Sequence, residues 1–384
     1  MVTGSRAEYS HLYPLMKAIG SDKRLALQVV ATGTHVAKKF GQTHKIIAQD
    51  GFRIAKKLDI LKFDDSQVGI VKSIGLGCSL FAKAFSELKP DIVVVLGDRY
   101  ELLSAVIAAY VARVAIAHIH GGETTVGAFD EGIRHSITKM ASLHFPATEG
   151  YRHRIIQMGE NPKRVFNFGA PGLDNLFRLK FLSKKELGKS LKFDLTGRVA
   201  LVTFHPVTLE NNTARVQIKA IFQAVKTFDL KGVFTAANAD THGSVINKEI
   251  KAFCRRDPQK YCFIESLGMQ RYYSCLKSFD VMIGNSSSGL VEAPSFALPV
   301  VNIGDRQKNR IRGRNVIDSG CRAQQIQQAI KKALSSEFRR SLVGAKNPYL
   351  RFKGGKASHQ IKEVLRKTQL NEDFIKKSFF DIKF

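Results

Sequence analysis

The chain has 384 residues, 44% of them apolar and 24% charged, enough for two or three domains of ordinary size, each with its own core. No unbroken apolar run reaches the roughly 18 residues that span a bilayer, and no charged segment followed by an apolar core opens the chain; the reading is a soluble, non-secreted protein with no membrane partner. The formal charge of +27 is spread along the whole chain and densest from Lys331 to Lys383. Between a nucleic-acid surface, an anionic-membrane surface and a generally basic proteome, the last is the reading, with no nucleic-acid partner, since no aromatic-interleaved motif accompanies the charge; such a field would in any case steer an anionic ligand.

Five cysteines, Cys78, Cys254, Cys262, Cys275 and Cys321, form no C-x-x-C pair, which argues against a zinc knot or a disulfide framework and for a cytoplasmic location. Short β-branched runs alternate with helical segments. Strands are expected at Asp91–Leu96, Val114–His118, Leu143–Ala147 and Val165–Phe168. Helices are expected at Glu101–Val111, Glu131–Ala141 and Tyr151–Met158. The second half repeats the pattern, with strands at Val199–Phe204, Gly232–Ala236, Cys262–Ile264, Val281–Ile283 and Val300–Asn302. This alternation predicts an α/β protein of two Rossmann-like doubly wound domains facing across a cleft, with ligands at the carboxyl ends of strands. The expected parts are residues 1–170, residues 171–354 and a helical tail, residues 355–384, returning to the first domain. Met1-Val2-Thr3 is short for a first strand, so the chain reads as shortened at its start or begun at a misassigned codon, with some loss of stability.

Chemistry-bearing residues collect at those carboxyl ends. Gly4-Ser5-Arg6 leads into a helix and offers N–H groups and a guanidinium to an anion; an ordinary capped helix start explains it equally well. Gly97-Asp98-Arg99 ends an apolar strand, where ions are costly to bury. His118-Ile119-His120-Gly121-Gly122-Glu123 ends the next strand. Alternation puts His118 and His120 on opposite faces, which disfavours a shared metal. Asp130 and Glu131 open a helix. Alone they read as capping groups, but with Asp98 and Glu123 they form a carboxylate set suited to acid and base work. In the second half His205, Asn238 and Asp240 follow strands. Gly284-Asn285-Ser286-Ser287-Ser288-Gly289 precedes an expected helix carrying Glu292 one turn in: hydroxyls and N–H groups for a diphosphate, and a carboxylate for ribose hydroxyls. Arg306 adds a cation. No Walker A sequence or dinucleotide fingerprint is evident, so a nucleotide-sugar fits better than ATP or NAD.

From Thr3 to about Asp318 these blocks resemble the hydrolysing UDP-N-acetylglucosamine 2-epimerases of sialic-acid biosynthesis and the similar enzymes of the legionaminic-acid route. Most specific are Gly97-Asp98-Arg99-Tyr100-Glu101, His118–Glu123 with Asp130–Lys139, and Gly284–Glu292 with Asn302–Arg306. The resemblance implies a glycosyltransferase-B-like fold, a homodimer or dimer of dimers, and neither metal nor other cofactor. It places Arg6, Ser10, Arg99, His205, Asn238, Ser286, Ser287, Glu292 and Arg306 at UDP-binding positions. Asp98, Glu123, Asp130 and Glu131 fall at acid/base positions, with His205 assisting. The family often has Asp where Glu131 stands.

The implied reaction eliminates UDP to a glycal and then adds water, so proton transfer is needed on both faces of the sugar. Glu123 with Asp130 or Glu131 are the expected proton-transfer groups, and Asp98 the orienter or second base. A non-hydrolysing epimerase would return a UDP-sugar instead of free UDP. A glycosyltransferase would need an acceptor, and a nucleic-acid binder would leave Asp98 and the serines unexplained.

Overall fold

The computed structural model describes all residues except 39–40, 65, 208–212, 238–242 and 383–384. The chain divides into two compact units. The first comprises residues 1–123, 130–177 and 349–384; the second comprises residues 124–129 and 178–348. The crossings thus fall at 123/124, 129/130, 177/178 and 348/349, where the sequence places boundaries near 170 and 354.

The first unit begins β1 (Val2–Thr3), α1 (Arg6–Gly20), β2 (Val29–Thr32), α2 (His44–Gln49), β3 (Ile54–Leu58), α3 (Gln67–Leu88) and β4 (Ile92–Leu96). It continues α4 (Tyr100–Val111), β5 (Ala115–Ile119), α5 (Asp130–Met140), β6 (Leu143–Phe145) and α6 (Glu149–Gln157). Strands β1-β2-β3 and β4-β5-β6 form two three-stranded parallel sheets, with β1 beside β4. The spatial order 3-2-1-4-5-6 is therefore that of a doubly wound unit. β1 is too short to ladder with both neighbours: Val2 and Thr3 pair with Val30 and Ala31. Side-chain alternation covers both faces. Val94 and Leu96 pack with Leu12, Leu15 and Met16 of α1, while Val93 and Val95 pack with Phe81 of α3 and Leu102 of α4. Val165–Phe168, expected as a strand, contributes one bridge, His144 to Val165.

α3, not singled out from sequence, has an 18-residue window of mean hydropathy 1.5 although Lys72 and Lys83 interrupt its apolar residues. In the fold it is a packed helix. Ile70, Ser73, Gly77, Phe81 and Phe85 form its buried face, and a Cβ on Gly77 would lie 2.7 Å from Ser104 Oγ of α4.

The second unit runs α7 (Lys184–Leu191), β7 (Val199–Thr203), α8 (Ala214–Lys226), β8 (Lys231–Thr235), α9 (Gly243–Arg256), β9 (Tyr261–Ile264), α10 (Gly268–Ser278) and β10 (Val281–Gly284). It ends with α11 (Ser288–Val291), β11 (Val300–Ile303), β12 (Val316–Ser319), α12 (Ala323–Leu334) and α13 (Ser336–Ser341). Its six parallel strands are ordered β12-β11-β10-β7-β8-β9, the same winding as the first unit. The strand order reverses between β7 and β10, and the ends of those two strands are where such a sheet binds ligands.

The tail of the first unit carries α14 (Ala357–Lys367) and α15 (Glu372–Ile375). α14 is amphipathic and lays Ile361 and Leu365 into the α1 side of the core. Asp174 accepts from the amides of Ala357 and Ser358, which start that helix.

Candidate active site

At the β1 end, Ser5 caps α1: its hydroxyl accepts from the Glu8 amide at 3.4 Å. Glu8 returns the interaction, accepting from the Gly4 amide at 2.8 Å and from Ser5 Oγ at 3.3 Å. The Gly4 N–H assigned to an anion from sequence is therefore taken by a carboxylate. Burial, and then the nearby Glu101, pushes the Glu8 carboxyl up to about 7. Ser10, expected at a nucleotide, donates its hydroxyl to its own helix, at Arg6 O, 2.7 Å away. Arg6 is half-buried.

At the β4 end, Arg99 forms a forked pair with the fully buried Glu101, at 3.2 and 3.3 Å. Asp98 pairs with Arg134, which also reaches Glu131 at 3.4 Å, and Glu131 meets His135 at 3.2 Å. Arg134 is 3% exposed and was missed from sequence, although its i,i+3 spacing from Glu131 on a helix was visible. It ties two of the four expected carboxylates together across β4 and α5. Asp130, buried, is the first residue of α5, where the helix N-terminus favours negative charge.

His118 and His120 do point to different partners. His118 Nε2 donates to Gly97 O at 2.7 Å, so Nδ1 accepts from Thr138 at 3.1 Å. Burial drives this imidazole down to about 3, so it acts as a neutral brace joining β4, β5 and α5. His120 lies at φ +63, and its Nδ1 is 2.6 Å from Glu123 Oε1. Gly122 at φ +75 makes the return possible, since a Cβ there would stand 2.6 Å from Tyr151 O. Asp98, Glu123, Asp130 and Glu131 thus all stand at strand ends or the α5 start.

In the second unit, the β7 and β10 ends are clasped by Asn285. Its Oδ1 accepts from the His205 amide at 2.7 Å, and its Nδ2 donates to His205 O at 2.8 Å. Gln307 Nε2 donates to Asn285 O at 2.8 Å, and Arg306 reaches the same carbonyl at 3.5 Å. At Gly284, φ +137, a Cβ would sit 1.9 Å from Thr203 O, so glycine is required. Ser286, Ser287, Arg306 and His205 are thereby gathered about one turn. The helix after it is only Ser288–Val291. Glu292, expected one turn into that helix, is its C-cap, and Pro294 next ends the α-helical ladder. Glu292 is 3% exposed, and burial pushes its carboxyl up to about 7. Asn238 and Asp240 lie outside the described residues. Asn285 and Gln307 were not singled out from sequence; an Asn directly after a strand-ending glycine was the available signal.

The chain matches the family model described as UDP-N-acetylglucosamine 2-epimerase over residues 17–366. It is 42% identical over 342 residues to the Campylobacter jejuni protein named GDP/UDP-N,N'-diacetylbacillosamine 2-epimerase (hydrolyzing), covering 89% of this chain and 88% of that one. It is 37% identical to the Escherichia coli polysialic acid biosynthesis protein P7, covering 99% and 96%. Among solved structures, UDP-GlcNAc 2-epimerase from Neisseria meningitidis bound to UDP-GlcNAc superposes with a TM-score of 0.81 at 19% identity, covering 96% of this chain and 99% of that one. That likeness confirms the glycosyltransferase-B-like fold expected from sequence. Matched by its family model over most of its length, the chain belongs to the UDP-N-acetylglucosamine 2-epimerase family and is an enzyme of nucleotide-sugar chemistry.

Proposed function

We propose that the protein is a hydrolysing 2-epimerase that eliminates UDP from a UDP-2-acetamido sugar and hydrates the glycal to the free, C2-inverted sugar. The observation that carries this reading is the carboxylate set Asp98, Glu123, Asp130 and Glu131, gathered on two strand ends and one helix start in a chain 42% identical to a hydrolysing relative. Because the C2 hydrogen is not acidified by a carbonyl, departure of UDP must develop positive charge at C1 while a base takes the C2 proton. Return of a proton to the opposite face requires a second group.

The UDP-binding role falls to Ser286, Ser287, Glu292, Arg306 and His205 in the second unit, and to Arg6, Ser10 and Arg99 in the first. Since Ser10 and Arg99 are engaged within the fold, binding by them requires exchange of those bonds or use of their remaining acceptor and donor positions. The substrate is UDP-N,N'-diacetylbacillosamine, favoured by the name of the 42%-identical relative. UDP-N-acetylglucosamine is the second reading, favoured by a polysialic acid relative covered over 96% of its length.

A homodimer belongs to the same reading, supported by exposed Val68 and Val71 on α3 and Tyr110 and Val111 on α4. So does a cytoplasmic location, supported by five cysteines of which none forms a disulfide. Incubation with each UDP-sugar in D2O, followed by proton NMR, should show free UDP and a free sugar deuterated at C2. Return of an intact epimerised UDP-sugar would make the enzyme non-hydrolysing, and inertness toward both substrates would refute the proposal.

A further inference from the structure

Resting on that reading, we propose that His120 and Glu123 act as one proton-transfer unit, in which the imidazole exchanges the C2 proton and Glu123 holds and charges the ring.

The argument begins with the backbone. β5 ends at Ile119, and the next residue adopts φ +63, a left-handed conformation that His tolerates better than bulky or β-branched residues but at some cost. The chain then turns through Gly121 and Gly122. A Cβ on Gly121 would stand 3.0 Å from both His118 Nδ1 and Thr138 Oγ1, and one on Gly122 would strike Tyr151 O. Arg154 of α6 donates to Gly122 O and fixes the turn, and the His120 amide donates to Phe145 O at 3.1 Å. A strained residue, two tightly enclosed glycines and a pinned carbonyl have one shared result: Glu123 returns beneath His120, and Nδ1 meets Oε1 at 2.6 Å.

Both side chains are nearly excluded from water, at 9% and 3% exposure, where such a pair is far stronger than at a surface. Against the Glu123 carboxylate, Nδ1 is the donor, so the basic lone pair of the neutral ring lies on Nε2. The carboxylate also stabilises the imidazolium that forms when Nε2 takes a proton, as in a His–carboxylate pair that activates a nucleophile. Glu123 is then a positioning residue acting through His120. In the elimination, the C2–H bond breaks and its electron pair becomes the C1–C2 π bond. The C1–O bond breaks with its pair leaving on UDP, and the proton passes to Nε2.

The test compares His120→Asn, Glu123→Gln and the double variant with wild type, measuring kcat and KM for UDP release from whichever UDP-sugar the wild type turns over. Asn also tolerates positive φ, so the turn is kept. The expected result is a kcat loss of about 100-fold or more in each single variant with KM little changed, and a double variant no slower than the slower single one. His120→Gly, also suited to the backbone, should regain turnover on addition of imidazole, and the His120→Gly/Glu123→Gln variant should not. A His120→Asn enzyme within tenfold of wild type, or losses that multiply in the double variant, would overturn the pairing. A wild type inert toward both UDP-sugars would instead remove the functional reading beneath it.

Discussion

Replacing Glu8 by Gln is expected to change how stability depends on pH. In the folded first unit the Glu8 carboxyl is pushed from 4.5 to about 7, chiefly by burial and then by Glu101. Below pH 4.5 the group is protonated in both states and contributes no pH dependence. Between 4.5 and about 7 the unfolded chain ionises while the folded one keeps its proton, so stability falls as pH rises. Above about 7 the penalty is constant. A rise of this size corresponds to about 3 kcal/mol at 1.36 kcal/mol per pH unit. Gln keeps the geometry: its carbonyl can accept from Gly4 N–H, as Oε2 does now at 2.8 Å, and its amide can donate to Ser5 Oγ. The variant should therefore exceed wild type by under about 1 kcal/mol at pH 5 and by about 3 kcal/mol at pH 8. Urea unfolding followed by circular dichroism at 222 nm, repeated from pH 5 to 8, measures this; the chain contains no tryptophan to report by fluorescence. Glu292, pushed up in the same direction by burial in the second unit, should leave a residual slope in the variant. Parallel wild-type and variant curves across that range would refute the reasoning.

Asn285→Ala removes both bonds to the His205 backbone and leaves a buried N–H and C=O without them. It should lower the stability of the second unit by about 2–4 kcal/mol and weaken UDP binding, read by urea titration and calorimetry; unchanged UDP affinity would separate the clasp from ligand binding. Lys377 joins the tail to the end of α5. Its ammonium meets Glu160 at 2.7 Å and donates to Ala141 O at 2.9 Å, while Glu160, 2% exposed, also holds His144 and Lys139. Lys377→Met should destabilise by about 2 kcal/mol, since Glu160 keeps two partners, and should speed proteolysis of the tail; an unchanged melting temperature would argue that the tail is dispensable.

The doubly wound winding and the strands from β4 to β11 were legible in the sequence because buried parallel strands read as continuous apolar runs; β2, β3 and β12 were not, and β3 carries Lys56 and Lys57 within Ile54–Leu58. Most first-strand and helix limits moved by only one or two residues. The candidate site was legible as motifs at strand ends: Asp98, Glu123, Asp130, Glu131, His205 and the serine turn are all where a doubly wound sheet exposes polar groups. Three further things escaped. The helix after Ser288 stops at Val291, because Pro294 removes an amide that the apolar pattern alone does not register. α3 reached bilayer-spanning hydropathy without an unbroken apolar run, and only its packing on α4 gives those residues a place in a core.

The third is pairing. Sequence determined which residues carry charge and roughly where along the winding they fall. Tertiary structure alone decided that Arg134 joins Asp98 to Glu131, that Glu8 takes the Gly4 amide, that Asn285 clasps His205, and that His120 meets Glu123. The reason is physical: side-chain type follows from the code one position at a time, whereas a 2.6 Å contact depends on backbone angles set by glycines and on neighbours up to 80 residues away.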